Sequence, residues 1–177
     1  MRIVAGQRAG RDLAKLLDAH VRPTAEHVRA ALLDLLADDL KDASLLELFA
    51  GTGALGLEAI SRGARRCDFV ETRASSLHTL NANIGLLRYK KRTRVFKKDA
   101  VPFAASLSEG AYDLAFADPP YGSRMLDHVI RSWQAKRFAR VLAVEHAATH
   151  DMTGLPAGAV TRAFDDSAVT IYRLAPG

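Results

Sequence analysis

The stretch Asp113-Leu114-Ala115-Phe116-Ala117-Asp118-Pro119-Pro120-Tyr121 joins an apolar strand to a rigid loop. Two successive prolines fix the backbone and remove two N–H groups, so the preceding carbonyls lack a local donor and can point into a cleft. The Asp118 carboxylate and the Pro119 carbonyl then place two acceptors near one point, which suits an exocyclic amine with two hydrogens. Tyr121 adds a flat face on which a base can stack. The alternative is a loop that prolines merely stiffen.

Outward from this stretch, strand and helix patterns alternate along the whole chain. Apolar runs predict strands over 44–49, 67–70, 93–97, 114–117 and 140–145, with a terminal hairpin of 160–164 and 168–174. Helical spacing predicts a first helix that Thr24 can cap and whose apolar stripe runs from Val28 to Leu40. It also predicts a helix from the glycine-rich turn to Gly63 and further helices near 77–87, 101–107 and 125–133. This order predicts an α/β, Rossmann-like fold with a largely parallel doubly wound sheet and a C-terminal antiparallel hairpin.

Carboxylates follow or end four of the predicted parallel strands. They are Glu47, Glu71, Asp99 and Asp118. The carboxyl ends of parallel strands meet at one edge, where ligands bind, so we expect these side chains to face one cleft. Four carboxylates repel one another unless a ligand brings hydroxyls, amines or positive charge.

A glycine-rich turn follows the first strand. Gly51, Gly53 and Gly56 match G-x-G-x-x-G, and Glu71 lies twenty residues beyond Gly51. Glycine permits a ligand to approach the backbone closely, and Glu71 can accept both ribose hydroxyls of a nucleoside. A tight turn without a ligand is the alternative.

The pattern alone does not choose between a nicotinamide dinucleotide and S-adenosylmethionine. A pyrophosphate is negatively charged and favours basic side chains, whereas acidic side chains suit the positively charged ammonium and sulfonium groups of S-adenosylmethionine. Glu47 and the glycine backbone can hold the methionine end, and Asp99 can accept the adenine amine. Asp99 could equally cap the following helix.

Basic residues are clustered rather than spread. Between residues 88 and 98 the chain has seven cations and no acid, namely Arg88, Lys90, Lys91, Arg92, Arg94, Lys97 and Lys98. A second set lies in the basic N-terminal extension, residues 1–23, and includes Arg2, Arg8, Arg11 and Arg22. Such blocks attract RNA or DNA through counterion release. The alternative is that these residues form a solvated helix-to-strand corner whose lysines only keep the protein soluble.

Length and composition exclude several classes of protein. The chain has 177 residues, 49% of them hydrophobic, a net charge of +5 and one cysteine, which is typical of a single globular domain over 1–177 without disulfides. It has no signal-like or membrane-spanning apolar run, so we expect a cytoplasmic protein without membrane partners. His146 and His150 lie four residues apart but lack a third ligand, so no metal site is predicted.

Several of these motifs together resemble a known family. Asp118-Pro119-Pro120-Tyr121 is similar to the D-P-P-Y motif of S-adenosylmethionine-dependent amino-group methyltransferases. The chain resembles the RsmD-like bacterial 16S ribosomal RNA guanine-N2 methyltransferases in residues 1–6, 22–24, 28–29, 48–59 and 69–71. The resemblance implies a catalytic loop of Asp118, Pro119, Pro120 and Tyr121, and a cofactor site made of Glu47, Phe49, Ala50, Gly51, Thr52, Gly53, Glu71, Asp99 and Ala100.

The resemblance also implies a substrate and partners. It predicts methyl transfer from S-adenosylmethionine to the N2 amine of guanine 966 in the small ribosomal subunit or its assembly intermediate, by a monomer. The RNA contacts expected are Arg2, Arg8, Arg11, Arg22, Arg88, Lys90, Lys91 and Arg92. A DNA adenine-N6 methyltransferase and an inert RNA-binding assembly factor are the alternatives, and a dehydrogenase is a more distant third.

Overall fold

One seven-stranded sheet forms the centre of the molecule. The computed structural model describes residues 1–16, 26–152, 159–164 and 166–175. The strands are β1 Ser44–Leu48, β2 Arg66–Glu71, β3 Thr93–Lys97, β4 Tyr112–Ala117, β5 Ala139–Ala147, β6 Val160–Phe164 and β7 Ser167–Arg173. They lie in the order β3-β2-β1-β4-β5-β7-β6. The first five are parallel and β7 is antiparallel to both neighbours. The predicted α/β fold is therefore confirmed.

Helices cover both faces of this sheet. They are α1 Glu26–Leu35, α2 Ala37–Leu40, α3 Ala54–Ser61, α4 Ala74–Leu87, α5 Ala100–Ala105 and α6 Met125–Lys136, with a short 3-10 turn at Lys90–Arg92. One core layer lies between the sheet and α1, α3 and α4, and a second lies under α5 and α6. Among the helices in the described ranges, none has the length and apolar character that crossing a membrane demands.

Many element boundaries differ from the sequence prediction by one to three residues, and two differences are structurally informative. The apolar stripe predicts a first helix through Leu40, but that helix ends at Leu35 and a separate turn of helix follows. Leu32, Leu36 and Leu40 are nonetheless all buried, so the apolar stripe faces the core on both sides of the break in the helix. The first strand ends at Leu48 rather than Phe49, because Phe49 has a positive φ of 59° that no strand accommodates. The predicted cap Thr24 lies outside the described residues.

The N-terminal arm, residues 1–16, packs against the body of the protein. Ile3 and Leu13 are buried in the first core layer. The Arg29 guanidinium on α1 donates to Glu58 of α3 at 2.7 Å and to the Arg2 carbonyl at 2.6 Å. Arg29 and Glu58 are both fully buried. This ion pair therefore fixes α1, α3 and the arm relative to one another.

Candidate functional site

Three of the four predicted carboxylates lie around the glycine turn at the carboxyl edge of the sheet, whereas Asp99 lies at the same edge beyond the outer strand β3. Glu47 lies inside β1 and pairs with Phe69 of β2 and Phe116 of β4. Glu71 ends β2, and Asp118 follows the last residue of β4. Their order across the sheet, β2, β1 and β4, places them around the turn that leads into α3.

The glycines of that turn have two different structural roles. Gly51 has a φ of +54°, and a side chain there would meet nothing within 4 Å, so this backbone is open to a ligand. A Cβ on Gly53 would lie 2.3 Å from Leu80, and one on Gly56 would lie 2.5 Å from Glu47 Oε2. The expectation that close ligand approach requires glycine therefore fits Gly51, whereas Gly53 and Gly56 are required by helix-to-sheet packing.

Backbone N–H groups hold the Glu71 carboxylate. Oε2 accepts from Gly51 at 2.9 Å, and Oε1 accepts from Thr72 at 2.7 Å and Arg73 at 2.8 Å. These contacts fix the orientation of the carboxylate beside the glycine turn. Since a carboxylate has about four acceptor positions, it can still receive a ligand hydroxyl.

Glu47 is a buried carboxyl among other charges. Burial raises its pKa to about 8, the hydrogen bond from the Gly56 N–H at 2.8 Å opposes that rise, and the nearby Asp118 charge adds to it. The charge of Arg29 lowers the pKa and that of Glu71 raises it. A cationic ligand beside Glu47 would stabilise the ionised form.

Asp99 caps a helix, as the alternative interpretation expected. Its carboxylate accepts from the Val101 N–H at 3.0 Å at the start of α5. It also lines an open cavity of about 320 Å³ with Lys98, Pro102, Phe103 and Ser106. Ala100, the first residue of α5, is buried. The cap accounts for the residue, and the adenine contact remains a prediction for which this cavity has room.

The proline loop borders a second cleft. Pro119 is buried, whereas Tyr121 is 46% exposed and offers its ring to a base. The cleft is lined by Pro119, Pro120, Tyr121, Gly122, Ser123, Leu126, Glu145, His146, Ala147 and His150. The Tyr121 hydroxyl donates to Glu145 Oε1 at 3.4 Å.

Asn83 of α4 is a supporting residue that the sequence interpretation missed. Its side chain is fully buried and donates to the Thr52 carbonyl at 3.0 Å. It also accepts from the Ala14 N–H at 2.8 Å and donates to the Ala14 carbonyl at 3.2 Å. It therefore connects the glycine turn to the N-terminal arm. An asparagine on an apolar helix face is the sequence signal that could have found it.

The basic residues 88–92 lie at the opposite edge of the sheet. They connect α4 to the start of β3, and β3 alone is roughly 17 Å long. Arg88, Lys90 and Lys91 therefore lie at the other end of the strands from Asp118, and RNA contact by them remains a prediction. Lys97 and Lys98, at the other end of the same strand, do lie on the edge that carries the site.

Arg8 and Arg92 are both engaged within the protein. Their guanidinium groups lie 5.7 and 5.3 Å from the centroid of the Tyr89 ring. Arg92 also donates to the carbonyls of Arg65, at 3.0 Å, and Ala64. Both side chains thus help to build this corner, and RNA contact by them remains a prediction.

The other predicted arm contacts differ in their exposure. The Arg2 side chain is 65% exposed and lies 3.8 Å from Glu26. Arg11 is also exposed. Arg22 lies outside the described residues. RNA contact by Arg2 and Arg11 remains a prediction.

The two histidines near the cleft have separate partners. His146 Nε2 lies 2.8 Å from Thr170 Oγ1, and His150 Nε2 lies 3.0 Å from Asp127 Oδ1. Within the ranges that the structure describes, no three His, Cys, Asp or Glu side chains form a group that could hold a metal ion.

The residues at this edge fit S-adenosylmethionine. The open Gly51 backbone offers space, the oriented Glu71 offers acceptors for a diol, and the buried Glu47 offers an acid where a cationic amino acid end would lie. The groups around the turn are carboxylates and backbone amides, whereas a negatively charged pyrophosphate would favour cationic side chains.

Comparisons with known proteins agree with this fit. A family model described as conserved hypothetical protein 95 matches residues 1–172. The chain is 32% identical over 156 residues to ribosomal RNA small subunit methyltransferase D of Escherichia coli K12. The alignment covers 88% of this chain and 78% of that protein.

Solved structures show the same fold. A hypothetical protein of Thermus thermophilus superposes with a TM-score of 0.81 at 26% identity, covering 98% of this chain and 99% of that one. The T. thermophilus 16S rRNA N2 G1207 methyltransferase RsmC, in complex with AdoMet and guanosine, gives a TM-score of 0.70 at 17% identity. That match covers 89% of this chain and 44% of the other, and it concerns the fold alone.

Proposed function

Because the chain belongs to the conserved hypothetical protein 95 family and is an RsmD-like methyltransferase, we propose that it methylates the N2 amine of a guanine in 16S ribosomal RNA. The methyl donor is S-adenosylmethionine, and guanine 966 is the expected target. The observation that carries this proposal is the position of Asp118-Pro119-Pro120-Tyr121. This loop follows β4, directly beside the β1 turn whose Gly51 backbone is open.

The cofactor site consists of the residues around the glycine turn. Glu71 would accept the ribose hydroxyls, and Glu47 with the turn backbone would hold the methionine end. The cavity at Asp99 and Phe103 would take the adenine. When bound there, S-adenosylmethionine supplies an electrophilic methyl carbon on sulfur, so that its C–S bond breaks as a bond to nitrogen forms.

Asp118 and the Pro119 carbonyl prepare the amine. The lone pair on guanine N2 is delocalised into the ring, which makes the amine a poor nucleophile. Two acceptors that bind its two hydrogens direct the lone pair towards the methyl donor, and such positioning is worth up to about 7–11 kcal/mol of barrier. After N2 gains the methyl group it carries an extra proton, which passes to water, so Asp118 need not be a strong base.

The base must leave its stack to reach this loop, and the exposed Tyr121 ring provides a new stacking face. Unstacking costs least in a loop of RNA. The basic surface at residues 88–92 would then contact a more distant part of a large RNA, which suits a ribosomal subunit or its assembly intermediate better than a short hairpin. With a ribosomal substrate, we expect the enzyme to act in the cytoplasm.

The test is incubation with radiolabelled S-adenosylmethionine and small subunits that lack the modification, followed by nucleoside identification and mapping of the position. We expect N2-methylguanosine at position 966. A parallel incubation with double-stranded DNA that yields N6-methyladenosine, while the subunits stay unmethylated, would refute the proposal.

Variants separate an enzyme from an inert RNA-binding factor. Asp118→Ala is expected to lose methyl transfer while it retains S-adenosylmethionine and RNA binding. Glu109→Gln, an exposed site in the loop before β4, is a control that changes a carboxyl at the opposite edge of the sheet. Wild-type protein that binds small subunits without transferring methyl groups would support the inert factor.

A further inference from the structure

The end of β5 lies next to the catalytic loop. Ala117 of β4 pairs with Val144 of β5, so Asp118 and Glu145 each follow the last paired residue on neighbouring parallel strands. Backbones of neighbouring strands are about 4.8 Å apart. Glu145 also lines the same cleft as Pro119 and Tyr121. Its carboxylate therefore lies beside the loop that would hold the target base.

Glu145 is held firmly at this place. It lies within β5, and its backbone pairs with Val169 of β7 on the side away from β4. Its residue surface is only 8% exposed. The Tyr121 hydroxyl donates to Oε1 at 3.4 Å, a long contact that orients the carboxylate towards the loop on whose ring the base stacks. A carboxylate has about four acceptor positions, so further donors can be accommodated.

The chemistry of this position distinguishes the purines. Guanine carries an N1–H donor directly beside its N2 amine, whereas adenine and 2-aminopurine carry an N1 lone pair beside their amines. An ionised carboxylate can only accept hydrogen bonds. A poorly solvated carboxylate facing a lone pair would leave two acceptors unpaired, which is costly.

We propose that Glu145 selects guanine by accepting its N1–H while Asp118 and the Pro119 carbonyl hold the adjacent N2 amine. This inference rests on the proposed function, and it explains how the D-P-P-Y loop, which could serve either purine amine, acts on guanine. Glu145 is thus a specificity-determining residue, separate from the pair that prepares the amine. The sequence signal was present, since Glu145 is another acid near the end of a parallel strand.

The size of the effect follows from the loss of a hydrogen bond at a site built to receive one. A site built to receive a hydrogen bond discriminates by about 10⁴-fold against an analogue that lacks the donor. In a partly exposed cleft we expect a smaller discrimination. We expect wild-type protein to methylate guanine at least about 100-fold more efficiently than 2-aminopurine, by kcat/KM. Glutamine can donate from its amide to an unprotonated N1, so Glu145→Gln is expected to reduce this ratio at least about 10-fold.

The experiment uses small subunits reconstituted with guanine or 2-aminopurine at the mapped position. Wild type, Glu145→Gln and the Glu109→Gln control are compared by kcat/KM, and S-adenosylmethionine affinity is measured for each. 2-Aminopurine also lacks O6, but that contribution cancels when the wild-type and Glu145→Gln ratios are compared. For the Glu109→Gln control, we expect the S-adenosylmethionine affinity to match that of wild type. We expect the same of its ratio of kcat/KM on guanine to kcat/KM on 2-aminopurine.

Two results would overturn the inference. One is a Glu145→Gln ratio equal to that of wild type, and the other is wild-type protein that methylates both bases equally well. In either case guanine methylation persists, so the proposed function stands. If wild type fails on guanine itself, the proposed function and this inference both fail. If Glu145→Gln does not fold, the wild-type ratio of kcat/KM on guanine to kcat/KM on 2-aminopurine remains as the test. A wild-type ratio near one overturns the inference.

Discussion

Replacing Glu47 with glutamine is expected to remove a pH-dependent loss of stability. Glu47 is buried in β1, and its Oε2 accepts the Gly56 N–H at 2.8 Å. A glutamine oxygen can accept the same hydrogen bond, so Glu47→Gln keeps the packing and removes only the titration.

The sign and size follow from the two pKa values. The carboxyl has a pKa of about 8 in the folded protein and an ordinary value of 4.5 in the unfolded chain. Between these values the folded state holds a proton that the unfolded state has released. Stability from this group therefore falls as pH rises, by about 1.4 kcal/mol per pH unit. The loss is absent below about pH 4.5, complete above about pH 8, and amounts to about 3–5 kcal/mol.

Urea unfolding of wild type and Glu47→Gln at several pH values from 5 to 9 measures this effect. The free energy of unfolding of the variant minus that of wild type is expected to grow across the window and then level off. The subtraction cancels the titrating groups that do not interact with Glu47. Glu109→Gln, which changes an exposed glutamate, is expected to show a flat difference. A flat difference for Glu47→Gln would refute the argument that burial holds the proton there.

Four further substitutions at three positions test the packing and one helix cap. Gly56→Ala is expected to destabilise the protein by about 1–3 kcal/mol and to weaken S-adenosylmethionine binding, because the added Cβ displaces Glu47; urea unfolding and calorimetric titration measure both. Arg29→Ala is expected to cost about 3–5 kcal/mol by urea unfolding, because Glu58 loses a buried partner, and a cost below about 1 kcal/mol would contradict the importance of this pair. Asp99→Ala is expected to cost about 1 kcal/mol through the lost cap, whereas Asp99→Asn retains it; thermal unfolding separates the two.

Local patterns determined much of this protein. The alternation of apolar runs and helical stripes predicted the strands and helices, because each element must present an apolar surface to one core. The position of the Asp118 loop at the sheet edge also followed, since parallel strands point their carboxyl ends the same way. Acids at or near the ends of four strands also predicted a ligand site at this edge.

Only the tertiary structure decided how those residues are used. The sequence could not assign Gly51 to ligand approach and Gly53 and Gly56 to packing, because the difference lies in Leu80 and Glu47, which come from other elements. The clustered charge predicted RNA contacts at residues 88–92, but only the fold shows that these residues precede the start of β3, at the opposite end of the strands from Asp118. Charge is a property of composition, but the distance between a charge and a reacting atom depends on which strand ends the chain brings together.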